Sequence, residues 1–305
     1  MKRLAFSLFL LSAAVLCHGS ESSHVLELPR KDVAAEAFKT EEMDFAGQKR
    51  PRILTPNYDI IAYRPHDGIL AGERLEHLLN VWEWLFAEFV GKTENKQEQR
   101  RHRVILYRDE QEYGRYLARI DPAASRAKTN GYYSTPRKTA HFFSPESKVL
   151  PHEGTHQILI ERFFPDHEPT FRNNFWVVEG IALFMETLNV GEKDYKIGNL
   201  LDNRLFAAKE YHFKHGYKMP IRQLTAMSAA EIHLSEEMIR IYSQSAALVH
   251  WLMFAEEGRY RKPLFELLRR TYLDEARPAT LSELTGLSYE ELDKKYAEFL
   301  MTIPE

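Results

Sequence analysis

Apolar positions recur along this chain at two different periods, and the change from one to the other divides it. From Tyr58 the stretch Tyr-Asp-Ile-Ile-Ala-Tyr-Arg-Pro is rich in β-branched and aromatic residues and closes on a proline, which predicts a strand. Over 75–90, Leu78, Leu79, Trp82, Leu85 and Phe86 return at steps of three and four, the spacing of a helix with one apolar face. Aromatic residues at that spacing predict core rather than a binding platform. Residues 103–107 read as a second strand and 110–120 as a second helix. Residues 131–143 read as two short strands around a Ser-Thr-Pro-Arg-Lys turn. After about 148 the helical period dominates, over 151–164, 175–188, 236–257, 262–272 and 289–301. The order of elements predicts an α+β fold, with a small N-terminal sheet and its helices followed by a mainly helical lobe. Residues 20–52 carry charge and small residues with no sustained period and read as a linker or N-terminal arm. The folded domain is therefore expected over 53–305, with 53–147 as its α/β part and 148–305 as its helical part.

The first 19 residues have a different pattern. Lys2 and Arg3 precede an unbroken run of apolar and small residues from Leu4 to Leu16, and Cys17-His18-Gly19 leads into a polar stretch. That is the pattern of a secretory signal peptide cleaved after Gly19. The run is too short for the roughly 20 apolar residues that a membrane span requires. Leu16 argues against a lipid anchor at Cys17, since a lipidation site has a small residue there. The expected destination is the periplasm or the extracellular space.

Cys17 is the one cysteine, so a chain cleaved after Gly19 has none and must be held by its core. Loss of Lys2 and Arg3 leaves 39 basic against 44 acidic residues and moves the formal charge from −3 to −5. Nothing in that balance points to nucleic acid or an anionic membrane as partner. No residue pattern fixes an oligomeric state.

The candidate chemistry lies at 152–156, His-Glu-Gly-Thr-His, within Leu-Pro-His-Glu-Gly-Thr-His-Gln-Ile-Leu-Ile. Residues four apart share a helix face, so His152 and His156 can present two imidazole nitrogens to one ion. Glu153 projects beside them, where a carboxylate can take a proton from water activated by metal without itself ligating. Pro151 suits a helix that starts near the motif, because the first turn leaves its amide positions unpaired in any case.

Catalytic zinc commonly takes three protein ligands and keeps a fourth position open. Glu179 is the best third ligand: it stands in the apolar helical stretch Asn-Asn-Phe-Trp-Val-Val-Glu-Gly-Ile-Ala-Leu-Phe-Met, where an acid is costly to bury unless paired or bound to metal. The separation of 23 positions from His156 to Glu179 leaves room for one helix to end, a loop to turn and a second helix to return. Gly180 permits close approach of helices.

His152-Glu153-x-x-His156, followed by Trp176-x-x-Glu179-Gly180-x-Ala182, resembles the peptidase-MA-like gluzincins, zinc metallopeptidases whose third ligand is a glutamate on the following helix. The stretch from Tyr242 to Val249 is similar to the helix that comes next in such proteins. The resemblance spans about 58–299 and is strongest in the two metal helices. It implies a zincin-like catalytic lobe, one Zn2+ per chain held by His152, His156 and Glu179, and Glu153 as general base in cleavage of peptide bonds. The substrate would be a peptide or protein.

The chain departs from thermolysin-like members four residues after the third ligand, where Leu183 stands in place of an acid that orients a zinc histidine. Glu186, seven residues after Glu179 and on nearly the same helical face, is the alternative orienting group. Tyr242 is a second candidate catalytic residue, since its phenol can donate to the oxyanion of a tetrahedral intermediate. It reads equally as a packed tyrosine beside Ile241, Leu248 and Leu252. His141 and His167 carry weaker signals, and His212 and His215 sit in a basic aromatic stretch that reads as exposed. A catalytically inactive gluzincin-like binding module of the cell envelope is the rival reading, against which the retained Glu153 counts.

Overall fold

The computed structural model describes residues 24–91, 100–122, 130–275 and 277–305. The expected signal peptide and Cys17 lie outside the described residues. The architecture is mixed α+β, with a six-stranded sheet, a smaller three-stranded sheet and a large helical part.

The six-stranded sheet has the order β2-β3-β4-β5-β7-β6. Its strands are β2 (Lys39–Phe45), β3 (Gln48–Leu54), β4 (Tyr58–Ile61), β5 (His102–Leu106), β6 (Gly131–Ser134) and β7 (Thr139–Phe142). β4, β5 and β7 run parallel in the centre, and antiparallel hairpins close both sides. Helix α1 (Pro65–Phe89) makes the crossover from β4 to β5, and α2 (Glu110–Ile120) leads from β5 towards β6. The strand and helix expected at 58 and 75–90 are present, with Leu78, Leu79, Trp82, Leu85 and Phe86 all in the core.

The expectation of a linker over 20–52 is corrected by the strands formed there. β2 and β3 make a long hairpin whose two-residue turn, Ala46-Gly47, has φ of 51° and 78°. Two positive φ values in succession give the turn the twist that matches paired strands. Further upstream, β1 (Leu26–Pro29) crosses to the helical part and pairs antiparallel with β9 (Asp194–Ile197), itself paired with β8 (Asn189–Val190). Leu26 and Leu28 are buried by that docking. The folded body therefore includes residues 26–54, ahead of the expected start at 53, and its helical part carries a small sheet of its own.

Helix α3 (Val149–Ile158) continues into a π turn (Leu159–Phe163), and α4 (Phe175–Met185) follows. α3 starts two residues earlier than Pro151 suggests. The proline is third in the helix, still inside the first turn where no intrahelical acceptor is needed. Gly154 lets α3 approach α1, since a Cβ there would stand 2.8 Å from a methyl of Leu78. On the same side the Trp82 indole donates to Thr155 Oγ1 at 3.1 Å. The ring of Phe163 in the π turn stacks on Phe86 at 3.8 Å.

All eleven residues of α4 are buried. It lies against α8 (Met238–Phe254) so closely that a Cβ on Gly180 would come within 2.8 Å of the Ser245 carbonyl oxygen. That contact is why glycine stands beside Glu179. Complete burial of a side chain such as Ile181 or Phe184 contributes about 1.5–3 kcal/mol, and this is what keeps a carboxylate-bearing helix in the core. The remaining helices are α5 (Asn203–Phe213), α6 (Ile221–Ala226), α7 (Ala229–Leu234), α9 (Arg261–Tyr272), α10 (Leu281–Thr285) and α11 (Tyr289–Thr302). Among the described residues no helix is long and apolar enough to cross a membrane.

Candidate metal centre

The face of α3 turned away from α1 carries His152 and His156, one helical turn apart, with ring centroids 5.0 Å apart. α4 returns opposite them and directs Glu179 at both. Glu179 Oε2 is 3.4 Å from His152 Nε2, and Oε1 is 3.7 Å from His156 Nε2. One ligand atom from each of the three residues falls within 4.8 Å of the others, and each side chain is nearly buried. Atoms bound tetrahedrally to one metal at roughly 2.0–2.1 Å stand about 3.3–3.4 Å apart. The two histidine–glutamate separations are close to that value, so these three groups can hold a metal ion.

The other nitrogen of His152 is also held. Nδ1 lies 2.9 Å from Oε1 of Glu186, the residue that follows α4. With its Nδ1 proton donated to a carboxylate, the ring turns Nε2 towards Glu179, so that loss of the Nε2 proton would present a lone pair to a metal there, which is how histidine ligands are commonly oriented. The absence of an acid at Leu183 is thus made good one turn later.

Glu153 stands beside the cluster without joining it. Its Oε2 accepts the backbone N–H of Tyr133 at 3.0 Å, which ties it to β6, the edge strand of the large sheet. Gly131 on the same strand leaves room for it: a Cβ there would meet the Glu153 side chain at 3.0 Å and Val149 at 2.4 Å. β6 is fixed in turn by the Tyr133 hydroxyl, which donates to Glu161 in the π turn at 3.1 Å. Glu161 also accepts from Gln157 and is 2.9 Å from His102 Nδ1. Nothing in the sequence pattern marked Tyr133 or Glu161, because the groups that matter are a backbone amide and a carboxylate displaced by the π turn.

The electrostatics follow from packing four ionisable groups in one dry place. Burial pushes the Glu153 carboxyl up to about 7, with repulsion from Glu179 adding to it and the charge of His152 and the Tyr133 amide opposing. Burial alone would lower His152, but its hydrogen bonds to Glu179 and Glu186 overcome that and raise it. Burial would likewise raise Glu179, and its contacts with the two histidines hold it below the usual carboxylate range instead. His156 is lowered to about 4 by burial, which outweighs the attraction of Glu179.

Tyr242, on α8, lies close enough to Glu179 to feel its charge. Burial and the nearby Glu179 carboxylate push its phenol far above the ordinary value. Ile241, Leu248 and Leu252 on the same helix are core, while Tyr242 is only partly buried. His233 on α7 was not singled out in the sequence. It is exposed, meets Phe175 edge-on at 5.0 Å, and acts electrostatically on both His156 and Glu179. A short helix with one histidine offers no periodic signal that would have marked it.

The other histidines lie elsewhere. His141 is buried in the second core against Tyr107, whose hydroxyl is 2.9 Å from its Nδ1. His167 and His215 are exposed, and His212 is half-buried against Tyr296. No protein-family model matches this chain, and no curated protein matches it.

Proposed function

We propose that the protein is a zinc-dependent hydrolase with a zincin-like catalytic lobe, a metallopeptidase of gluzincin type acting on peptides or proteins. The observation that carries this reading is the convergence of His152, His156 and Glu179 while Glu153, one residue from the first ligand, stays outside the cluster. Two histidines and a carboxylate also suit ferrous iron in open facial sites. Glu153, half-buried and raised to about 7, favours zinc chemistry, because a carboxylate so poised is suited to proton transfer near neutral pH.

A zinc ion at His152, His156 and Glu179 would supply Lewis acidity, activating water and polarising the carbonyl that it attacks. Glu153 would take the proton released from that water and hand it to the leaving amine, its direction set by the Tyr133 amide on Oε2. Glu186 would keep His152 in the Nδ1-protonated tautomer. Tyr242 would donate its phenolic proton in a hydrogen bond to the oxyanion. Support for a peptide substrate comes from β6, an edge strand beside α3 that can offer backbone groups to an extended chain.

The test is Glu153→Gln. It is expected to retain about one zinc per chain and to lose hydrolysis of a peptide library that the wild type cleaves. Loss of zinc in that variant would refute the division between ligands and base. Zinc binding with no hydrolysis by the wild type, at any substrate in the library, would favour the binding-module reading.

A further inference from the structure

A cavity of about 590 Å3 adjoins the candidate metal centre, and Glu186, whose carboxylate holds His152, forms part of its wall. That volume is within the range of small-molecule sites. Three cations line it, and each comes from a different part of the chain: Arg30 just after β1, Arg74 from α1, and Lys148 at the start of α3. The docking of β1 on β9 is what delivers Arg30.

These charges are unequally answered. Lys148 Nζ is 3.3 Å from Asp202 and is neutralised there. Arg30 donates to the Gly191 carbonyl at 2.8 Å, and Arg74 to the Pro145 carbonyl. Among the described residues neither guanidinium has a carboxylate within ion-pair distance. Of the three acids on the wall, Asp202 is taken by Lys148 and Glu186 by His152, which leaves Glu73 alone against two arginines.

One buried donor at this place also lacks a hydrogen-bond partner, the Nε of Arg30. A buried unpaired donor calls for a partner. Guanidinium groups match the planar, two-oxygen geometry of carboxylate and phosphate.

We propose that this cavity is an anion site that takes a carboxylate or phosphate group, with Arg30 and Arg74 as its ligands. It does not depend on the hydrolytic reading, since neither arginine touches the metal cluster. The anion can be free in solution or can be the terminal carboxylate of a peptide.

The test is calorimetric titration of the purified protein at low ionic strength with inorganic phosphate and with malonate. Saturable one-to-one binding is expected. The paired change Arg30→Gln and Arg74→Gln is expected to weaken it about ten-fold or more. Because both arginines also anchor loop carbonyls, Leu201→Glu provides a second variant. This side chain is 63% exposed on the cavity wall, so its replacement spares the core while setting a negative charge beside the anion. It too is expected to weaken binding, whereas Arg259→Gln, outside the cavity, is expected to leave it unchanged.

Trialanine and its C-terminal amide then separate the sources. Displacement of phosphate by the acid and not by the amide assigns the site to a peptide terminus, and displacement by neither assigns it to a free ion. No saturable binding of phosphate or malonate, or binding unaffected by both variants, would overturn the proposal.

Discussion

Glu186 Oε1 sits 2.9 Å from Nδ1 of His152, on the far side of the imidazole from the Nε2 that faces Glu179. A carboxylate in that position fixes both the tautomer and the plane of the ring, and so would act on a bound metal without touching it. Glu186→Gln is therefore expected to weaken metal affinity by about 10- to 100-fold. Competition with a chromophoric chelator measures this. Unchanged affinity would show that the ring is held by its packing alone.

This contact was partly legible in the sequence. Helical phase placed Glu186 on the face of Glu179, and the apolar run around Glu179 marked an acid that had to be paired. The two motif helices were legible for the same reason: their apolar residues keep a steady period on either side of the ligands. The N-terminal strands were not. β2 has a mostly exposed face and no clear alternation, and its turn is Ala46-Gly47, in which alanine replaces the asparagine or aspartate that usually announces such a hairpin. The first ten residues of α1 were missed because Gly68 and Gly72 interrupt the period. Both are there for close packing, with a Cβ at either coming within 2.8 Å of a side chain of β3 or of the turn that follows it. Registers set by distant partners, such as β1 on β9, leave almost no trace in local pattern.

Protonation sets the pH dependence of metal binding. His152 is raised to about 10: burial alone would lower it, but Glu179 and Glu186 prevail. A folded-state value above the unfolded 6.5 means that its stabilising contribution is complete below 6.5 and is lost as pH rises through about 10. Metal needs the neutral imidazole, so binding must expel that proton across this window. Affinity is expected to rise with pH by up to about ten-fold per unit. Below about 7 Glu153 adds to the release, because a bound cation lowers its raised value. Calorimetry in buffers of different ionisation enthalpy counts the protons. Affinity independent of pH between about 6 and 8 would contradict this electrostatic picture.

Tyr242→Phe removes one hydroxyl and keeps the ring that packs on α8. If the phenol donates to the oxyanion, kcat should fall by about 10²–10³, equivalent to roughly 2.7–4 kcal/mol. Metal content and KM should change little. Wild-type turnover in the variant would return Tyr242 to a packing role.

His152, His156 and Glu179 are placed to form one metal centre. Elemental analysis of the purified protein beside its His156→Ala variant, both prepared without added metal, tests it most directly. About one zinc per chain is expected in the wild type, and its disappearance in the variant. Absence of zinc from both proteins, even after zinc is supplied, would contradict it.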